Sequence, residues 1–106
     1  MAKRGGFPGG MPGNMNNLMK QAQKMQKQMA ETTKALEEKS YEASAGGGVV
    51  SVTVSGKKEV TAIKIAEEVV DPDDIEMLED LIMAATNEAF RAMEADSQAQ
   101  MSKLTG

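Results

Sequence analysis

Four lysines form the sharpest chemical pattern in this chain. Lys20, Lys24, Lys27 and Lys34 follow one another at intervals of four, three and seven residues. At about 100° per residue these intervals return to one side of an α-helix. A row of ammonium groups breaks no bonds. It neutralises an extended anion, and the phosphate backbone of a nucleic acid is the obvious one. No acid occurs between Met1 and Ala30. Ordinary soluble helices interleave Glu with Lys for i, i+4 pairing, as this one does from Glu31 onward. The bland alternative is a solvated helix surface whose lysines only confer solubility; the acid-free start favours the anion. Lys3 and Arg4 lie upstream and extend the cationic reach. Lysine offers no base-edge geometry, so such binding falls steeply with salt and depends little on sequence. Phe7, Tyr41 and Phe90 are the only aromatics, too few for a base-stacking platform. Double-stranded DNA is therefore the preferred ligand class.

Other chemistries fare worse. The chain has no cysteine and no histidine, which removes thiolate nucleophiles, disulfides, the usual zinc ligands and the commonest general base. Asp71, Asp73, Asp74, Glu76, Glu79 and Asp80 crowd together, but without the glycine an EF-hand needs at its bend. Helix capping and a solvated acidic face account for them better than a metal. Gly46-Gly47-Gly48 lacks the Lys-Ser/Thr of a phosphate cradle and precedes a strand pattern, so it reads as a turn. Met25 and Met29 fall on an apolar seam, where adaptable packing explains them better than Cu(I) binding. Carboxylates alone could do acid–base work, yet no nucleophile constellation or glycine-rich cofactor loop accompanies them. No catalytic step, cofactor, metal or small-molecule substrate is expected.

The net charge of −4 is unevenly spread: residues 1–30 carry +5 and residues 31–106 carry −9. The positive end is the N-terminal segment plus the first half of a helix. Residues 1–13 hold five Gly and two Pro without periodicity and read as a flexible Gly/Pro/Met-rich tail. Residues 14–106 then form a single domain. Its core must be thin and aliphatic, and thin small cores gain from oligomerising. The basic start leads into no apolar run, so no signal peptide is visible. No stretch reaches the roughly 20 apolar residues of a membrane span. A cysteine-free chain fits the cytoplasm.

The elements that must position the lysines follow from periodicity. Leu18, Ala22, Met25, Met29, Thr32 and Leu36 alternate at four and three, a seam that wants a partner helix. The helix is expected to start near Asn14–Asn17 and to run to about Ser40, with part of it projecting. From Tyr41 the period becomes two. Tyr41–Ala45 reads as an edge strand, and Val50, Val52 and Val54 mark a half-buried strand. A polar loop, Gly56-Lys57-Lys58-Glu59, leads to a third strand, Val60–Ile65. There Val60 and Ile63 fall on opposite faces, which leaves the register open. Asp71 is the expected N-cap of a second helix, with Pro72 at its first position. That helix carries Ile75, Leu78, Ile82, Ala85, Ala89 and Ala92 at helical spacing, flanked by Met77, Leu81 and Ala84. Leu18, Ala22, Met25, Met29 and Leu36, with Ile75, Leu78 and Ile82, are the candidate packing and dimer residues. The fold class is α+β: long helix, three-stranded antiparallel meander, long helix.

Three words in this order carry a resemblance. Asn17-Leu18-Met19-Lys20-Gln21-Ala22-Gln23-Lys24-Met25-Gln26 opens the first helix. Gly46-Gly47-Gly48-Val49-Val50 and Val52-Thr53-Val54-Ser55-Gly56 make the second strand. Asp74-Ile75-Glu76-Met77-Leu78-Glu79-Asp80-Leu81-Ile82, then Asn87-Glu88-Ala89, make the last helix. Together they closely resemble the YbaB/EbfC family of bacterial nucleoid-associated proteins, from about Asn14 to the C-terminus. The resemblance implies a tight, tweezer-like homodimer with projecting helical arms and non-catalytic DNA binding in the nucleoid. It also implies effects on chromosome organisation and gene expression. The family has no motif that singles out DNA-contact residues. The rival expectation is a helical protein-interaction or assembly module without DNA binding.

Overall fold

The computed structural model describes residues 6–105, with side chains described over residues 14–104. Helix α1 (Gly6–Glu37) leads to strands β1 (Ser40–Ala45), β2 (Val50–Ser55) and β3 (Val60–Ile65), then a 3-10 turn (Glu67–Val69) and helix α2 (Ile75–Thr105). The strands form one antiparallel sheet in the order β1-β2-β3. This is the α+β meander expected from the change of period.

α1 begins upstream of Asn14–Asn17 and ends three residues short of Ser40. Asparagine inside a helix costs less than about 1 kcal/mol, so those residues impose no boundary. At the other end, the N–H groups of Glu38 and Lys39 donate to the carbonyls of Ala35 and Leu36, tightening the last turn. Ser40 is then held opposite Ser55 in the sheet.

The core is a single layer between α2 and the sheet. Val50, Val52 and Val54 are fully buried against Ala85, Ala89 and Met93. Small alanines on α2 let the helix approach the valine row closely. Each buried valine contributes on the order of 1.5–3 kcal/mol. Tyr41, Ala43 and Ala45 of β1 and Leu78, Leu81, Ile82 and Phe90 of α2 close the margins. Ile75 and Ala92, which share the helical spacing of that stripe, are exposed.

The third strand's register is set by a bulge. Val50 pairs with Ile65, Val52 with Ile63 and Val54 with Val60, with a shift between Thr53 and Val54. Thr61 is the extra residue, so Val60 and Ile63 reach the same face despite their odd spacing. That face is the one carrying the buried valines. Yet α2 covers β1 and β2, and every residue of β3 stays exposed.

The start of α2 differs from expectation. Asp71 Oδ1 accepts from Asp73 N–H at 2.9 Å, and Asp71 O accepts from Asp74 N–H at 2.9 Å. These bonds make a β-turn, with Pro72 at the second position that proline favours. The N-cap is Asp74, whose Oδ1 accepts from Met77 N–H at 3.2 Å. Asp71 and Pro72 thus shape the turn before the helix. Gly46, Gly47 and Gly48 all have positive φ, which makes the β1–β2 connection a glycine-dependent turn.

The molecule measures 86 × 22 × 18 Å, with a radius of gyration of 24.1 Å. A compact chain of this length would have about 13 Å. The difference lies in the two long helices: α1, of 32 residues, and α2, of 31, both outreach the six-residue strands of the sheet.

Candidate nucleic-acid interface

Lys20, Lys24, Lys27 and Lys34 all lie exposed on α1, on the side opposite Leu18, Ala22, Met25 and Met29. Among the described residues the ion pairs are Lys39–Asp96 at 2.9 Å and Arg91–Glu88 at 2.6 Å. The four stripe lysines join neither, so their charge faces solvent. Glu31 falls within the stripe between Lys27 and Lys34. Lys20, Lys24 and Lys27 therefore form the acid-free part. Lys3 and Arg4 lie outside the described residues. The acids after Val70 are on the other helix and the turn before it, where Asp71 and Asp74 are engaged with backbone N–H groups.

The seam of α1 divides in two. Leu36 is 7% exposed and Thr32 is half-buried, whereas Leu18 is 61% exposed and Ala22, Met25 and Met29 are also open. The lower seam finds its partner within the chain, since α1 contacts α2. Among the described residues none covers the upper seam.

Two contacts anchor the root of α1. Gly56, in the β2–β3 hairpin, donates its N–H to the Lys39 carbonyl at 3.0 Å. A Cβ on Gly56 would lie 1.8 Å from the Leu36 carbonyl oxygen, so only glycine fits under the helix end. On the other side, Asp96 Oδ2 of α2 accepts from Tyr41 OH at 2.6 Å and from Lys39 Nζ at 2.9 Å. Gln100 donates to Asp96 Oδ1 at 3.4 Å. Burial, then the bond to Asp96, push the Tyr41 hydroxyl up to about 12. The donors Tyr41 and Lys39 hold the Asp96 carboxyl down at about 2. This cluster joins positions 55 and 57 residues apart, and no local pattern could have revealed it.

By residue type alone, Lys57 and Lys58 belong to a polar hairpin loop and nothing more. Lys58 has φ 68, the sole non-glycine positive φ among the described residues. The steric demand at Gly56 fixes the glycine there and leaves the left-handed position to a lysine.

An apolar surface also stands uncovered. Val60, Ile63 and Ile65 of β3 continue the valine face beyond α2, and Ile75 and Met83 are exposed on α2. No described helix is long and apolar enough to cross a membrane.

Comparison with known proteins places this architecture. A solved structure of an uncharacterized Helicobacter pylori protein shares the fold, with a TM-score of 0.72 over 84% of this chain and 94% of that one at 22% identity. A nucleoid-associated protein of Agathobacter rectalis is 74% identical over all of this chain and 94% of its own length. Those of Lachnoclostridium phytofermentans and Clostridium acetobutylicum are 72% and 62% identical, again over the whole chain and over 90% and 94% of their lengths. The family profile described as the YbaB/EbfC DNA-binding family matches residues 11–106, nearly all of the folded chain and the lysine-bearing helix with it. This chain belongs to that family.

Proposed function

We propose that this protein binds double-stranded DNA in the bacterial nucleoid, with little sequence preference and without a catalytic step, substrate or cofactor. One observation carries the reading: a projecting helix presents Lys20, Lys24 and Lys27 to solvent with no acid among residues 14–30 and no ion pair on any of them. Lys34 extends the row toward the body, and Lys3 and Arg4 add charge upstream. Phosphate contacts of this type position a protein on a duplex without reading it. The consequences for the cell are nucleoid organisation and, through it, gene expression.

The active species is a homodimer. Val60, Ile63 and Ile65 on β3 and Ile75 and Met83 on α2 are large apolar side chains left exposed, and water contact with them is unfavourable. A second copy related by a two-fold axis would lay its own α2 flank over β3 and bury both sets at once. Two α1 arms then face the duplex together. Leu18, Ala22, Met25 and Met29 remain available for helix–helix contact within that assembly.

The exposed upper seam also suits the rival reading, an assembly module that docks a protein helix. A binding titration on two duplexes of unrelated sequence, from 50 to 200 mM salt, separates the two. The DNA reading expects similar affinities on both and a fall on the order of 10³-fold or more across that range. Absence of binding at 50 mM would refute it.

A further inference from the structure

The upper seam of α1 carries no charge on its own side. At about 100° per residue, Leu18, Ala22, Met25 and Met29 fall in one stripe, edged by Asn14, Gln21 and Gln28 on one side and by Met15, Met19 and Gln26 on the other. All of these residues are exposed. Leu18 keeps 61% of its surface in water, Met19 58% and Met15 50%. Lys20, Lys24 and Lys27, the charged residues of this stretch, lie about half a turn away. The stripe runs on into the body. There Thr32 and Leu36 share a crevice with Gln100 of α2, and Leu36 is buried. The seam is thus packed as far as α2 covers it, and the same apolar chemistry continues in the open beyond.

An uncharged stripe of this kind suits its own copy. In a two-fold pairing the same patch meets itself, so charged edges of one sign would repel. Glutamine and methionine edges avoid that penalty, whereas a partner selected by charge finds nothing here to pair with. The sheet and α2 sit at the Leu36 end of α1. An antiparallel arrangement therefore places each body beyond the other arm's tip. From Met15 to Met29 the stripe is about 21 Å long and about 10 Å wide. Covering it on two helices removes area on the order of 500 Å², well below the roughly 1,200 Å² of a stable complex. Such a contact is weak between free molecules and strengthens wherever many arms are held side by side.

We propose that the upper seam of α1 pairs antiparallel with the same seam of a second copy, and that the paired arms bridge two DNA duplexes. Packed helices lie about 8–10 Å apart, which sets the two lysine rows roughly 20 Å apart on opposite outer faces. Each row then meets its own duplex, with the helix pair between them. Two duplexes coated side by side align many arms, and the weak contact is multiplied. The inference rests on the reading of α1 as the DNA-binding arm and adds what the back of that arm does.

A capture assay separates bridging from binding. One duplex is fixed to beads, a second carries a fluorophore, and the protein is the only link between them. The parent carries the labelled duplex onto the beads. Leu18→Gln/Met25→Gln keeps good helix formers but makes the seam polar. Its capture falls at least about tenfold, while its affinity for a single duplex, read by fluorescence anisotropy, stays within about twofold of the parent's. Leu18→Met/Met25→Leu, which conserves volume and apolarity, captures as the parent does. Lys20→Gln/Lys24→Gln/Lys27→Gln loses both signals. A parent that binds one duplex but captures no second one overturns the bridge and leaves the arm standing. Full capture by the polar-seam variant overturns it too. So does sedimentation of that variant as a monomer, which would make the stripe the subunit interface itself. A parent that binds no single duplex refutes the DNA-binding reading of α1, and this inference with it.

Discussion

Replacing Lys20, Lys24 and Lys27 with glutamine removes the acid-free charge while keeping good helix formers. Lys20 and Lys27 are seven residues apart, about 10 Å along the helix axis. Phosphates of one DNA strand succeed one another every 3.4 Å or so along the duplex. A 10 Å row therefore passes about three of them, and each lysine has a phosphate within reach. Two arms then neutralise about six phosphates. At roughly 0.9 counterions released per phosphate, the triple variant should lose about five units of salt slope. Between 50 and 200 mM salt the parent should weaken on the order of 10³-fold more than the variant does. Fluorescence anisotropy with labelled duplexes of two sequences gives both numbers. The weakening should be equal on the two duplexes, because a point charge discriminates neither. A change in slope below about one unit would show that the arm does not meet the backbone, whatever the absolute affinity.

Three further expectations concern the scaffold. Gly56→Ala drives a Cβ into the Leu36 carbonyl and the Glu37 Cα, all backbone atoms that cannot swing aside; a destabilisation of about 1–3 kcal/mol should appear in urea unfolding, and an unchanged midpoint would deny the tight seat. Ile63→Asp puts a charge on the exposed extension of the valine face, so sedimentation should show a monomer with weakened DNA binding; a persisting dimer would place the interface elsewhere. Stability should also depend on pH through Tyr41 and Asp96. Folding raises the Tyr41 pKa to about 12, so its contribution is complete below about pH 10 and disappears as pH climbs toward 12. Folding lowers that of Asp96 to about 2, so its contribution is complete above about pH 4 and is lost as pH falls toward 2. Tyr41→Phe should flatten the alkaline fall; an identical fall in the variant would clear Tyr41 of the effect.

Periodicity made much of this fold legible. The alternation of Val50, Val52 and Val54 with Ser51, Thr53 and Ser55 named the buried strand and its inner face, because a two-residue period has one geometric meaning. The spacing of Leu78, Ile82, Ala85 and Ala89 named the covering helix in the same way. Three features depended on context that a single chain position does not show. Val60 and Ile63 share a face only because Thr61 bulges, and a bulge is a property of two strands. Asp71 and Asp74 are equally good caps by type, and the turn around Pro72 decides between them. The Tyr41–Asp96–Lys39 cluster joins distant segments, so nothing local announced it. For the candidate interface, the helical row of lysines was visible in the spacing and lies exposed.

The narrow footing of α1 has a mechanical consequence. From Asn14 to Glu37 the helix is a rod about 36 Å long, fastened to the body only near its last turns. A rod so mounted acts as a lever: rocking its foot by 5° sweeps the far end by about 3 Å, by the same dimensions. Gly56 and Asp96 are then the fulcrum, and their stiffness sets how far the free end of the rod travels. Small changes at the fulcrum redirect Lys20, Lys24 and Lys27 without altering any of the three.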